Sequence, residues 1–245
     1  AGYHNHERER HLDGDFLLSW TCNPDSVSAA AEPSVVLAVN RFHGASTDRL
    51  PRPETRVSLT PTSASLRVRF DVAGSALLAS NTQRQSSVYR DSCVEFFFEP
   101  IRGAGYINVE INCIGTPLAH FHPTYQRNEV EKLDDAAIDS LNIRASLPHE
   151  RIAPERRGET SWWLAFEVSY DAVARVVGRK VEDVAGPGLS LRWRGNFYKC
   201  GDHTSSPHWA SWAPLHETLD FHVPDCFAPI AFDEAGCFLG SRSGA

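Results

Sequence analysis

The stretch RDSCVEFFFEPIRGAGYINVEINCIGT, residues 90–116, decides the fold. It holds two apolar runs separated by the short connection PIRGAG, whose proline and glycines are typical of a turn. Successive residues of a strand point to opposite sides of a sheet, so each run can be sorted into two faces. We predict two antiparallel strands joined as a hairpin.

One face of this hairpin is apolar and must belong to the core. It is made of Val94, Phe96, Phe98, Ile107, Val109, Ile111 and Cys113. The opposite face carries a carboxylate in each run, and a hairpin closed by PIRGAG puts Glu95 close to Glu110. The same register puts Phe97 close to Asn108. Opposed carboxylates repel unless a cation, an arginine or a polyol donor lies between them, so we expect something to occupy this face.

Further segments alternate at period two, at residues 65–72, 162–170 and 189–200, and clusters of Gly, Pro, Asp and Asn separate them. One short helix is predicted at 171–177, with Asp171 as its N-cap and Gly178 just past its end. Many short strands and almost no helix indicate an all-β fold. We predict an antiparallel β-sandwich, jelly-roll-like with immunoglobulin-like layering and one short helix.

Composition excludes several classes of partner. The net charge is -7 and no basic cluster is present, which argues against nucleic acid. No apolar segment reaches the roughly 18 residues that cross a bilayer, so no membrane span is expected. The six cysteines match no metal-binding spacing, and their pairing stays open, although Cys93 and Cys113 face opposite ways. Residues 1–11 are charged and rich in histidine, and we expect a flexible or processed end, with metal capture as the alternative.

The strand at 189–200 adds polar groups to the side that carries the two glutamates. Arg194, Asn196 and Tyr198 alternate outward, in phase with one another. Carboxylate, amide and guanidinium groups can each form two hydrogen bonds to neighbouring hydroxyls of a pyranose, so this combination favours a sugar ligand. The alternative is that these are ordinary solvent-facing residues of a sheet.

Four motifs in order, YRDSCVEFFFEP, YINVEINCIGTPL, WRGNFYKCGDHTSSPHWASWAPL and FHVPDCFAPIAF, resemble the family 9 carbohydrate-binding modules over about residues 34–232. The resemblance implies a sandwich without a catalytic centre that binds sugar, often a chain end, between aromatic side chains over a polar floor. It assigns one wall to Tyr89, six positions before Glu95, and the facing wall to Trp212, with Trp209 as the alternative. Tyr89 stands where sugar-binding members commonly carry tryptophan, which implies weaker stacking.

The resulting prediction is non-catalytic binding of mono- or oligosaccharide ends in carbohydrate catabolism, in an extracellular or periplasmic location. The binding domain is predicted at residues 34–232, between an N-terminal extension and first strand region at 1–33 and a C-terminal tail at 233–245. The predicted ligand-binding residues are Tyr89, Glu95, Asn108, Glu110, Asn112, Arg194, Asn196, Tyr198, Trp209 and Trp212. The oligomeric state is left open.

No cofactor is required by this prediction, and the identity of any metal is open. The resemblance implies a possible structural calcium, for which Asp91, Asp202 and Glu99 are available oxygen donors. Cys200, Asp202, His203 and His208 are a zinc alternative without a tetrahedral spacing. His120 and His122 would share one strand face, and we interpret them as ordinary polar-edge residues.

Three rival functions remain to be weighed. A haem-carrying sandwich that uses methionine ligation is excluded, because the chain has no methionine. A glycoside hydrolase or lyase could use Glu95 and Glu110, but we expect the arginine-bearing neighbouring strand to keep both carboxylates ionised, whereas a general acid needs one protonated. No nucleophile elbow, phosphate loop or HExxH motif is present. A protein-interaction sandwich is disfavoured by the scarcity of outward aliphatic residues.

Overall fold

The computed structural model describes residues 34–48, 52–74, 76–126, 128–158 and 160–240. The predicted N-terminal extension with its histidines, and the last five residues of the predicted tail, lie outside these ranges. The strands are β1 (Val35–Ala38), β2 (Arg41–Phe42), β3 (Glu54–Pro61), β4 (Ser65–Ala73), β5 (Leu77–Ala79), β6 (Cys93–Glu99), β7 (Tyr106–Asn112), β8 (Pro117–His122), β9 (Glu131–Lys132), β10 (Arg144–Ala145), β11 (Ile152–Arg156), β12 (Ser161–Ser169), β13 (Leu191–Cys200), β14 (Trp209–Ser211) and β15 (Ala228–Phe232). The helices are α1 (Asp135–Asp139), α2 (Tyr170–Val176) and α3 (Val181–Val184).

These strands form two antiparallel sheets packed face to face, which confirms the predicted β-sandwich. The five-stranded sheet has the order β1-β3-β4-β12-β10. The eight-stranded sheet runs β2-β14-β13-β6-β7-β8-β9, with β15 also paired to β13, and a small third sheet joins β11 to β5. Apolar side chains from both inner faces fill the core, where the rings of Phe70 and Phe197 meet edge to face with centroids 6.0 Å apart.

The hairpin predicted from residues 90–116 is present in the expected register. β6 pairs with β7 so that Glu95 lies opposite Glu110 and Phe97 opposite Asn108. Gly105 enters β7 with a φ of 88°, and a Cβ at this position would lie 2.3 Å from the carbonyl oxygen of His122. Glycine is therefore required where the connection passes β8.

Strand β13 places a third row of side chains beside the hairpin. One edge of β13 pairs with β6 from Arg194 opposite Glu99 to Cys200 opposite Cys93. Its other edge pairs first with β15 and then with β14. The outward side chains of β13, β6, β7 and β8 therefore form one continuous surface.

The helix prediction needs two corrections. The described residues contain three short α-helices where one was predicted, and α2 is capped by Ser169, whose hydroxyl accepts from the Ala172 amide, rather than by Asp171. Gly178 follows α2 with a φ of 64°, as predicted. None of the helices in the described ranges is long and apolar enough to cross a membrane.

One segment predicted as a connection is a strand. Residues 152–156 fall in the cluster LPHERIAPERRGE but form β11. β11 carries Pro154 and pairs only with the three-residue β5, through an irregular register. Proline is compatible with such an edge position, where a missing amide donor breaks no continuous ladder.

Candidate functional site

A cleft of about 610 Å³ lies on the outer face of the eight-stranded sheet. Its sheet side is formed by β6, β7 and β8, which contribute Glu95, Phe97, Asn108, Glu110, Leu118, His120 and His122. Its remaining sides come from loops and from the start of β14: Tyr89, Val130, Asp202, Trp209 and the segment 219–222. The volume falls within the range of about 300–1,000 Å³ that is typical of small-molecule sites.

The polar residues of this surface are buried although they face away from the core. Every residue of β6 and of β7 is buried, and the exposed fractions of Glu95 and Glu110 are 3% and 5%. Loops fold over the outer face and remove it from bulk solvent. Interactions between charges are therefore stronger here than at an ordinary surface.

A chain of polar contacts runs across β8 and β7. The Nε2 of His122 and the Oδ1 of Asn108 are 2.8 Å apart, and the Asn108 amide donates to Oε1 of Glu110 at 2.8 Å. The other oxygen of Glu110, Oε2, is buried and has no hydrogen-bond partner among the described residues. The same holds for Nε2 of His120. Buried polar atoms without partners are costly, so these two atoms indicate where a ligand would bind.

Glu95 lies opposite Glu110 and has different neighbours. The Cys200 thiol donates to Oε1 of Glu95 at 3.0 Å. Burial raises the pKa of Glu95 well above its ordinary value, and the adjacent Cys200 and Glu110 act in the same direction. Burial also raises the pKa of Glu110 to about 7, although the hydrogen bond from Asn108 opposes the change. The pair therefore retains a proton near neutral pH.

This finding overturns the expectation that an arginine keeps both carboxylates ionised. Arg194 does not reach the pair, because its guanidinium donates to Oε2 of Glu99 at 3.1 Å. No lysine or arginine lines the cleft within the described part of the chain. The electrostatic objection to a general acid in the cleft is thus removed.

Aromatic side chains surround the polar surface. The indole nitrogen of Trp209 donates to Asp202 at 2.8 Å, which fixes the ring at the edge of the cleft. Tyr89 and Trp209 both pack against a small apolar cluster that includes Cys93 and Leu118. On another side Phe221 stacks on Tyr198 with ring centroids 4.0 Å apart. Flat rings beside buried hydrogen-bonding groups can accommodate a ligand that has both apolar faces and hydroxyl groups.

Five of the predicted residues lie together in this cleft: Tyr89, Glu95, Asn108, Glu110 and Trp209. Their role in binding stays a prediction. The other five predicted residues do not line the cleft, for three different reasons.

Trp212 is in the core, so its predicted place as the facing wall is wrong. Its amide donates to the carbonyl of Phe197, which continues the pairing of β14 with β13. The side chain therefore shares the core face of Phe197, whose ring centroid is 5.7 Å away, and is 3% exposed. Trp209 lies opposite Cys200, so its side chain points to the outer face of the sheet, where the cleft is.

Asn112 and Asn196 point outward as predicted, but their side chains form hydrogen bonds with backbone groups of neighbouring segments. The Asn112 amide donates to Asp91 at 2.9 Å and to the carbonyl of Asn81 at 2.8 Å. Asn196 accepts from the amide of Ala213 at 2.9 Å and donates to its carbonyl at 3.2 Å. Both residues are completely buried and do not reach the cleft.

Arg194 and Tyr198 support the segment 215–227, which we call the covering loop. Arg194 donates to the carbonyls of Pro224 and Phe227, and the Tyr198 hydroxyl donates to the carbonyl of Phe221 at 3.1 Å. They hold the loop from beneath. Their predicted direct contact with a ligand is not supported by this position.

The site also contains residues that the sequence analysis missed or interpreted differently. His120 and His122 line the cleft rather than an ordinary polar edge. Pairing of β8 with β7 places both histidines on the outward face that carries Asn108, and this alternation was the signal in the sequence that could have found them. Cys200 lies in it as well. The segment 219–222 belongs to the covering loop and has no periodicity by which it could have been found.

The oxygen donors proposed for calcium do not come together. Both carboxylate oxygens of Asp91 accept from protein donors, Glu99 is bound to Arg194, and Asp202 is bound to Trp209. The zinc alternative also fails, since His208 contacts Lys199 and Ser206 instead of the other donors. Within the described ranges a single group of three or more His, Cys, Asp or Glu side chains has its ligand atoms within 4.8 Å of one another: Cys93, Glu95 and Cys200.

Comparison with known proteins gives a consistent result. A family model described as Carbohydrate-binding family 9 matches residues 39–232. The crystal structure of a candidate carbohydrate-binding protein from Bacteroides uniformis ATCC 8492 is similar, with 27% identity and a TM-score of 0.70 over 81% of this chain and 86% of that one. No curated protein matches significantly.

Two structures of a family 9 module from Caldicellulosiruptor kristjanssonii share the fold. The complex with glucose has 11% identity and a TM-score of 0.52, over 81% of this chain and 83% of that one. The complex with cellotriose has 12% identity and a TM-score of 0.51, over 80% of each chain.

Proposed function

The chain belongs to carbohydrate-binding family 9, and on that premise we propose that its cleft binds a carbohydrate without turning it over. The observation that carries the proposal is the pair of unpartnered buried atoms, Oε2 of Glu110 and Nε2 of His120, beside Asn108. A sugar hydroxyl both donates and accepts, so neighbouring hydroxyls of one ring can satisfy these atoms together. Tyr89, Trp209 and Phe221 supply the rings against which the C–H faces stack.

We further propose that the ligand is a monosaccharide or the end of an oligosaccharide, in a catabolic, extracellular or periplasmic setting. The size of the cleft, about 610 Å³, suits a few rings better than the length of a polymer. The glucose and cellotriose complexes of the Caldicellulosiruptor module support ligands of this class.

The test is a titration with mono- and oligosaccharides whose reducing ends are native or reduced by borohydride, followed by calorimetry and tryptophan fluorescence. We expect saturable binding that Glu110→Gln weakens about tenfold, because the amide cannot accept at both positions. Glu54→Gln is the matched control, since Glu54 lies exposed in the other sheet beside Arg56. Equal affinity of Glu110→Gln and wild type for every sugar would contradict the proposal.

Glycoside hydrolysis or elimination is a second candidate, favoured by the raised pKa values of Glu95 and Glu110. Such reactions need one carboxyl that is protonated near neutral pH beside one that is ionised. The same sugars are therefore assayed for released reducing ends and for unsaturated products. Turnover that Glu95→Gln abolishes would establish this function in place of pure binding.

A further inference from the structure

We propose that Cys93, Cys200 and Glu95 form a binding site for a thiophilic divalent cation of the zinc class at the inner end of the cleft. The proposal does not depend on carbohydrate binding. It follows from the way in which two adjacent strands, β6 and β13, present their outward side chains.

The two thiols are brought together by strand pairing. Cys93 and Cys200 are direct partners across β6 and β13, on the face that carries the cleft, and their sulfur atoms lie within 4.8 Å of each other. Glu95 follows two residues later on the same face, with Oε1 3.0 Å from the Cys200 sulfur. All three ligand atoms lie within 4.8 Å of one another.

These separations are close to those of a tetrahedral zinc site. Zn–S bonds of about 2.3 Å and Zn–O bonds of about 2.0–2.2 Å place neighbouring ligand atoms roughly 3.5–3.8 Å apart in a tetrahedron. Cys93 and Cys200 are already direct cross-strand partners, so the present register of β6 and β13 brings the ligands together. Because two of the three ligands are thiols, the site favours Zn²⁺ or Cd²⁺ over Ca²⁺, which binds only oxygen.

The site borders the cleft. Cys200 and Glu95 line the cleft, whereas Cys93 is completely buried behind them. A cation would therefore enter through the cleft, and its fourth position would face the cavity. Glu110 lies directly opposite Glu95 with its Oε2 unpartnered, so a carboxylate or a ligand hydroxyl can complete the coordination.

The environment supplies the charge balance that a dication needs. Asp202 and Glu110 add negative charge at this end of the cleft. Lys199 is a nearby buried cation that acts on both thiols, but it does not line the cleft and donates to the carbonyl of Cys200 at 2.7 Å. The remaining cysteines of the described part lie elsewhere: Cys113 on the core face, Cys226 in the covering loop and Cys237 near the end of the described chain. They provide internal controls.

The test is a titration of the reduced full chain with Cd²⁺, monitored by the ultraviolet charge-transfer absorption of cadmium thiolates, and with Zn²⁺ in competition. We expect one ion per chain with the absorbance of two thiolates. Cys93→Ser and Cys200→Ser should each halve the absorbance and weaken binding by tenfold or more. Glu95→Gln should keep the two-thiolate absorbance but weaken binding about tenfold, and Cys237→Ser should change neither.

Circular dichroism verifies that each variant is folded. If Cys93→Ser does not fold, the cleft-lining variant Cys200→Ser is used for the test instead. Thermal unfolding gives a second measure, since a cation bound to the folded chain raises the Tm of wild type and of Cys237→Ser but not of Cys200→Ser. Wild-type protein that shows no saturable thiolate absorbance overturns the proposal. So does a double variant, Cys93→Ser with Cys200→Ser, that binds Cd²⁺ as tightly as wild type.

Discussion

The outer faces of the two sheets share a sequence pattern and differ in their surroundings. In the five-stranded sheet, β4 and β12 alternate between buried and partly exposed residues, and charged pairs such as Arg69 and Asp71 are partly exposed to solvent. In the eight-stranded sheet, β6 and β7 are buried on both faces. The same alternation of apolar and polar side chains thus produces a wet surface in one sheet and a covered site in the other.

The difference shows that coverage by loops, and not the polarity of a strand, creates the site. Glu95 and Glu110 would be unremarkable if they lay in the five-stranded sheet, where carboxylates pair with exposed arginines at little energetic gain. Beneath the covering loop their desolvation raises the pKa of each. Four predictions test this contrast, beginning with the largest effect.

The strongest expected difference is in the free energy of unfolding. Asp91 is buried beside the eight-stranded sheet and accepts from the amides of Ser80 and Asn81 and from the side chain of Asn112. Asp91→Ala leaves these donors without a partner, and we expect a loss of about 3 kcal/mol. Urea unfolding measures it. A loss below about 1 kcal/mol would show that the donors find other acceptors.

The second prediction concerns ligand affinity. Trp209→Ala should weaken sugar binding at least tenfold, about 1.4 kcal/mol, because an aromatic wall of the cleft is lost. Trp163→Ala is the matched change in the other sheet, where Trp163 contacts Arg69 at the outer face, and it should leave affinity unchanged. Calorimetry with the best sugar distinguishes them. Equal losses in both variants would place the site outside the cleft.

The third prediction is a pH dependence of stability. The pKa of Glu110 is raised from its ordinary value of 4.5 to about 7 in the folded chain. Its stabilising contribution is therefore complete below 4.5 and is lost as the pH rises through about 7, because the folded state holds a proton that the unfolded state releases. The slope is at most about 1.4 kcal/mol per pH unit.

Urea unfolding across this window, with a chelator present, compares wild type with Glu110→Gln. The variant should lose less stability as the pH rises. Glu54→Gln, in the exposed sheet, should follow the wild-type curve. Parallel curves for wild type and Glu110→Gln would mean that Glu110 is ionised in the folded chain.

The smallest effect is expected at the exposed face. Asp71 pairs with Arg69 at 2.7 Å, but its side chain is 44% exposed. Asp71→Asn should therefore change the free energy of unfolding by less than about 1 kcal/mol. A loss comparable with that of Asp91→Ala would remove the distinction between the two faces.

The same distinction explains which residues could be found from the sequence. The pairing of Glu95 with Glu110 depends only on strand parity and on the short turn between them, and both are local. The family resemblance assigned Trp212 to the cleft although it belongs to the core, and the parity of the three-residue strand β14 could not be read from the sequence to correct this. Whether an outward side chain meets ligand or backbone depends on loops distant in sequence, as Asn196 and Asn112 illustrate.

The cysteine cluster marks another limit of the sequence. Cys93 and Cys200 are more than a hundred positions apart and match no metal-binding spacing, so their adjacency becomes visible only when β6 is paired with β13. Parity had already placed Cys93 on the same side as Glu95. The missing information was which strand is the neighbour.

The attachment of the covering loop has a consequence for protein engineering. Tyr198 and Arg194 donate hydrogen bonds to its backbone carbonyls at Phe221, Pro224 and Phe227. These anchors do not depend on the loop side chains, because every residue has a backbone carbonyl. Leu219, an exposed residue of the loop that also lines the cleft, can therefore be randomised while the sheet and its anchors stay constant. Libraries that vary the covering loop can therefore change ligand selectivity without any redesign of the β-sandwich.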